Sequence, residues 1–107
     1  MAAQEQMERR YRLAAEGYDL DAIAAKVGDM MDLAAWNLWA PGKERKRVEV
    51  RSVLCYGAVR DLGINMAELS RRLRRFISGA SLSVKRGDGI VQGRGYRLID
   101  IWAKLEN

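Results

Sequence analysis

KERKRVEVRSVLCYGAVRDLGINMAELSRRL, residues 43–73, is the stretch that decides the fold. It follows Pro41-Gly42, the clearest break in the chain, and opens on a basic loop, Lys43-Glu44-Arg45-Lys46-Arg47. Helix-forming residues then run from about Arg47 to Leu62, where Gly63 can end the helix in a left-handed turn. Val50, Val53, Leu54, Tyr56, Gly57, Ala58 and Val59 cover more than one stripe of that helix. A helix so apolar belongs at the centre of its domain. Arg51 and Arg60 are expected on its solvent side. Asn65 can cap a second helix from Met66 to Arg75, with Leu69, Leu73 and Phe76 on the helical period.

Reading on toward the C-terminus, Ser78 is positioned to cap a short helix ending at Arg86, with Gly87 as its stop. Ala80 with either Val84 or Leu82 would face inward, and Phe76-Ile77 could supply the buried corner before it. A glycine-rich stretch from Gly87 to Gly95 follows. Leu98, Ile101, Trp102 and Leu105 then predict a terminal helix.

Toward the N-terminus, residues 4–16 read as a helix with Met7, Tyr11 and Ala14 on one face. After Gly17, Asp19 or Asp21 can cap a helix from about Leu20 to Met31, with Ile23, Val27, Met30 and Met31 inward. Asp32 is expected to cap a short helix through Leu38 that carries Leu33, Trp36 and Trp39. No segment shows period-two alternation, so the expected fold class is all-α, a helical bundle. Two short helices with a tight join, carried on a long helix, have the layout of a helix-turn-helix unit. The expected division is an N-terminal helix or arm over residues 1–18 and a helix-turn-helix domain over 19–107.

Charge gives this layout a direction. The net charge is +5, yet residues 1–40 are acidic, and residues 41–97 hold fourteen Lys and Arg against five Asp and Glu. Such a concentration of positive charge suits a polyanion. In a helix-turn-helix unit the second helix enters the major groove while the first crosses the backbone. That rule places Ser78, Ser81, Ser83, Lys85 and Arg86 against base edges, with Arg71 and Arg72, in the cluster that also holds Arg74 and Arg75, beside the phosphates.

Other classes are disfavoured by what the chain lacks. There is no histidine, which removes Ser-His-Asp and Cys-His chemistry and most neutral-pH acid-base schemes. The carboxylates show no paired spacing, so no enzyme is expected. The single cysteine, Cys55, has neither a disulfide partner nor the companions of a zinc site, and reads as core packing. No metal or cofactor is expected. No apolar run approaches the roughly 20 residues of a membrane span, and the N-terminus lacks the order of a signal peptide, so a cytoplasmic, nucleoid-associated protein is expected.

Residues 43–73, continued by SLSVKRGDGI (residues 81–90) and Gly95-Tyr96-Arg97-Leu98, resemble the C-terminal DNA-binding domain of the replication initiator DnaA. They resemble still more the related domain of bacterial REP-associated transposase-like proteins, in the Trp-repressor-like class of helix-turn-helix folds. The resemblance spans roughly residues 19–98. It implies that the basic loop contacts the DNA backbone and adjacent minor groove, a role carried onto Lys43, Arg45, Lys46, Arg47 and Arg51. It also implies a reading helix near Ser78–Arg86. One departure concerns the turn: the family has glycine, an aliphatic residue and serine after the position of Leu73, whereas this chain has Arg74-Arg75-Phe76-Ile77-Ser78. The initiator's threonine-rich signature and the transposases' catalytic domain are both absent.

The leading expectation is sequence-preferring binding of double-stranded DNA in transposon-related or regulatory service. The alternative is a protein-interaction module that forms a homodimer or binds a larger partner through the acidic N-terminal region. That region carries Met7, Tyr11, Met30, Met31, Trp36 and Trp39, whose other reading is core packing.

Overall fold

The computed structural model describes residues 3–40, 42, 44–74 and 77–98. Among them are six α-helices and no strand: α1 (Ala3–Ala15), α2 (Leu20–Met30), α3 (Ala35–Trp39), α4 (Arg45–Gly57), α5 (Met66–Leu73) and α6 (Ile77–Arg94). The all-α expectation is met. A π-helical turn, Ala58–Leu62, continues α4 and ends at Gly63, which takes the left-handed conformation with φ 73°.

α4 is the axis of the bundle. Every residue from Val50 to Ala58 is buried, so the helix has no wet face over more than two turns. Ile23, Ala24 and Val27 of α2, Leu38 of α3, Leu69 of α5, and Ala80 and Val91 of α6 complete the core around it. Cys55 lies fully inside, as core packing requires. Local chemistry sets two helix starts as read. Asp19 caps α2 by accepting from the Ala22 amide at 2.9 Å, and Asn65 caps α5 by accepting from the Glu68 amide at 2.8 Å.

The end of α4 is closed by a residue from far away. In the π-helical turn the last carbonyls lose their ordinary partners. Arg10 of α1 supplies donors, through Nε to the Arg60 carbonyl at 3.0 Å and a terminal nitrogen to the Val59 carbonyl at 3.1 Å. A cation at a helix C-terminus also meets the negative end of the macrodipole.

Several local expectations are corrected. Ser78 does not open the last helix and Gly87 does not end it: α6 begins at Ile77 and runs 18 residues through Gly87, Gly89 and Gly93, stopping before Gly95 (φ 67°). Gly87 is there for contact. A Cβ at that position would lie 2.7 Å from the carbonyl carbon of Ser52 and 2.8 Å from Cβ of Tyr56, so only glycine lets α6 seat on α4. Ala80, Ser83 and Gly87 together form the small-residue stripe along that seam.

Asp32 is no cap either, since it sits at φ 59° in the turn after α2 and the N-cap of α3 is Ala34. α1 packs by Leu13, while Met7 and Tyr11 face outward, Tyr11 with 78% of its surface exposed. Trp36 is outward too; Leu38 carries the burial of α3, Met31 is buried, and Met30 and Trp39 are half-buried. Leu98 is buried, but the rest of the expected terminal helix, with Ile101, Trp102 and Leu105, lies outside the described residues.

Candidate nucleic-acid interface

The arginines fall into two populations. The first turns inward or sideways to hold the bundle together. Arg51, expected on the solvent side of α4, is buried and donates to the carbonyls of Leu38 (3.4 Å) and Ala40 (2.9 Å), tying the end of α3 to α4. Arg47, one turn earlier, keeps only 17% of its side chain exposed and donates to Oδ1 of Asn37 at 2.5 Å, with Glu44 3.9 Å away. Arg72 pairs with Asp21 at 2.5 Å and lies over the Trp39 ring, 4.6 Å from its centroid, so it fastens α5 to α2 and α3. Arg60 donates to the Tyr56 hydroxyl and stacks on that ring at 5.5 Å.

At the other end of the α4–α6 seam, Glu49 takes Arg94 at 2.8 Å and Arg45 at 3.3 Å. The hydrogen bond from Arg94, then its charge and the contacts of Arg45, hold the Glu49 carboxyl below the ordinary carboxylate range against the opposing effect of burial. Arg94 is correspondingly pushed up, first by the hydrogen bond to Tyr96 and then by Glu49. Arg45 is nevertheless 93% exposed, and Lys46 beside it projects into solvent. Lys43 lies outside the described residues.

The second population runs from the corner where α5 hands over to α6 along the outer side of α6. Arg71 and Arg74 at the end of α5, and Lys85 and Arg86 on α6, are all exposed. None of the four side chains has a hydrogen bond, ion pair or ring contact among the described residues. Arg74 forms the C-cap of α5 in the left-handed conformation, φ 55° and ψ 46°, with its amide bonded to the Arg71 and Ser70 carbonyls. Glycine is the usual residue at such a left-handed cap, and arginine takes that backbone shape at a cost of about 1 kcal/mol.

On α6 the helical period separates the candidate residues. Ala80, Ser83, Gly87 and Val91 are buried. Ser83 therefore faces α4 and is no part of the outer surface, contrary to the sequence expectation. Ser78, Ser81, Lys85 and Arg86 are outward, and Leu82 stands among them with 62% of its surface exposed. Ile77, at the edge of this face, is 55% exposed. Neither apolar residue fills the buried corner or core position that sequence reasoning allowed it. The spacing Ala80–Ser83–Gly87–Val91 carried the missing signal, because a helix buried on that stripe must turn Leu82 outward.

The outward set is Arg71 and Arg74 at the end of α5 with Ser78, Ser81, Lys85 and Arg86 along the first two and a half turns of α6, while Arg47, Arg51, Arg72 and Ser83 have structural roles. Arg45 and Lys46 sit elsewhere. Contacts of Gly87 with Ser52 and of Arg94 with Glu49 show α4 and α6 to be antiparallel, so the start of α4 lies beside the far end of α6. Lys46 and Ser81 are consequently about a dozen residues of helix apart, on the order of 20 Å.

No group of metal-ligating side chains occurs among the described residues, and no helix among them is long and apolar enough to cross a membrane. Searches against models of known families, curated proteins and solved structures gave no match.

Proposed function

We propose that this protein binds double-stranded DNA, with α5 and α6 as the two helices of a helix-turn-helix unit and the outer face of α6 in the major groove. The observation that carries the reading is the set of four exposed cations on the end of α5 and the outer side of α6, none with a partner among the described residues. Arginine in this chain usually finds an internal partner, as Arg10, Arg47, Arg51, Arg72 and Arg94 do. Arg71, Arg74, Lys85 and Arg86 have no such partner among the described residues, which leaves four positive charges on this surface for phosphate. The three-residue link between α5 and α6 has the length of a helix-turn-helix turn.

Arg71 and Arg74 would meet the backbone, while Ser78, Ser81, Lys85 and Arg86 face base edges. Arg45 and Lys46 suit a second, weaker contact. Their separation of about 20 Å from the corner is on the order of half the ~34 Å repeat of B-DNA, the offset from a major groove to the neighbouring minor groove. The resemblance to the DnaA C-terminal and transposase-associated domains supports the same layout and suggests transposon-related or regulatory service near the nucleoid.

Selection from a pool of random 24-base-pair duplexes at two salt concentrations tests this. Binding that weakens steeply between low and physiological salt, with an enriched motif, supports it; binding indifferent to salt refutes it.

A second reading rests on α1. Met7, Tyr11 and Ala15 form an outward stripe at four-residue spacing, flanked by Glu8, Arg12 and Glu16, where the bundle needed only Leu13. Such a stripe suits a homodimer or a larger protein partner. Light scattering after size exclusion separates the two readings: a tight dimer that shifts no duplex favours interaction alone.

A further inference from the structure

Leu82 is a large apolar side chain that the described residues leave 62% exposed. At 100° per residue, Ser78, Leu82, Lys85 and Gly89 fall on one stripe along the outer side of α6, and Arg86 borders Leu82 one turn on. Leu82 is bordered on this stripe by serine and cations instead of by further apolar side chains. A surface for another protein would extend the apolar area. Here the surrounding groups are Ser78, Lys85 and Arg86, with Arg71 and Arg74 at the preceding corner, all suited to a polyanion.

The major groove of DNA is polyanionic at its rim and offers one apolar group on its floor, the C5 methyl of thymine. We infer that Leu82 is a specificity-determining residue that packs on a thymine methyl, giving the protein a preference for A·T at the base pair it meets. This inference rests on the DNA-binding reading above, and assigns the apolar part of the recognition that the serines and cations cannot supply. Serine bonds to either kind of base edge, and a lysine or arginine reads guanine, so neither selects thymine.

The test uses the full chain and a 24-base-pair duplex taken from the random-pool selection. Each thymidine in turn is replaced by deoxyuridine, which deletes only the methyl group. At one or two positions the affinity should fall about fourfold, the equivalent of one buried methyl-sized group. Leu82→Ala should bind the thymidine duplex about as weakly as the native chain binds the deoxyuridine one, and should lose sensitivity to the replacement at that position. Its melting temperature should stay near native, since most of the Leu82 surface is exposed.

Salt-dependent duplex binding with no methyl-sensitive position overturns the inference alone. So does Leu82→Ala that keeps the full deoxyuridine penalty. Failure to bind any duplex overturns the DNA-binding reading and the inference with it. A native dimer that dissociates on Leu82→Ala also overturns it, by showing that a second protein chain covers the residue.

Discussion

The start of α4 and the α5–α6 corner are both rich in arginine and lysine, yet they use those residues in opposite ways. At the start of α4 Arg47 and Arg51 are spent on the protein itself, while Lys46 and the greater part of Arg45 stay open to solvent. Arg47 and Arg51 reach back to Asn37, Leu38 and Ala40, and Arg45 shares Glu49 with Arg94. At the corner Arg71, Arg74, Lys85 and Arg86 are left to solvent. Positive charge in a sequence marks where a polyanion could bind, but burial and partners decide which of those charges remain available to do it. A guanidinium offers five donors in a fixed fork, so it serves as well to satisfy carbonyls at a helix junction as to hold phosphate.

The comparison can be broken most severely at the seam that separates the two regions. Gly87→Ala places a methyl group against the Ser52 carbonyl and Tyr56, and both are fixed in the core. Denaturant unfolding should show a loss of about 3 kcal/mol or more. Gly89→Ala and Gly93→Ala meet open space in the same helix, and each should raise stability by about 0.5–1 kcal/mol. Equal effects at all three positions would contradict the packing of α6 on α4.

The next largest contrast sets one cation from each region side by side. Arg51→Ala leaves the Leu38 and Ala40 carbonyls without their charged donor and should cost about 2–3 kcal/mol, read as a melting temperature lower by roughly 10 °C. Arg86→Ala should leave stability within about 0.5 kcal/mol and weaken duplex binding several-fold. A smaller effect sharpens the comparison within a single residue. Arg74→Gly relieves the left-handed arginine and should stabilise the fold by about 1 kcal/mol, while binding to any duplex becomes weaker. Stability and binding moving in the same direction would remove Arg74 from the contact surface.

Much of the fold was legible in the sequence because it rests on local signals. The caps at Asp19 and Asn65, the stop at Gly63 and the apolar wrap of residues 50–58 each act within a turn or two of chain. The errors came where a distant element decided the outcome. Gly87 reads as a stop, but α4 lies so close that glycine is demanded inside a continuous helix. Arg51 reads as a surface residue of α4, but the chain leaving α3 brings two carbonyls over it. Arg72 reads as one of four equivalent arginines until Asp21 and Trp39, from other elements, claim it. For the candidate site, the region was legible from charge, and the membership was not, because membership depends on which partners the fold brings within reach.

The central claim is that the free cations of the corner, and not the basic loop as a whole, hold the polyanion. Its most direct test is the salt dependence of duplex affinity for the native chain and for a variant with Arg71, Arg74, Lys85 and Arg86 all changed to alanine. Each phosphate contact contributes close to −0.9 to the slope of log affinity against log salt, so losing the two backbone contacts of Arg71 and Arg74 should make the variant's slope shallower by about 2 while its melting temperature holds. A variant that folds and keeps the native slope would show that the charge at this corner does not bind DNA.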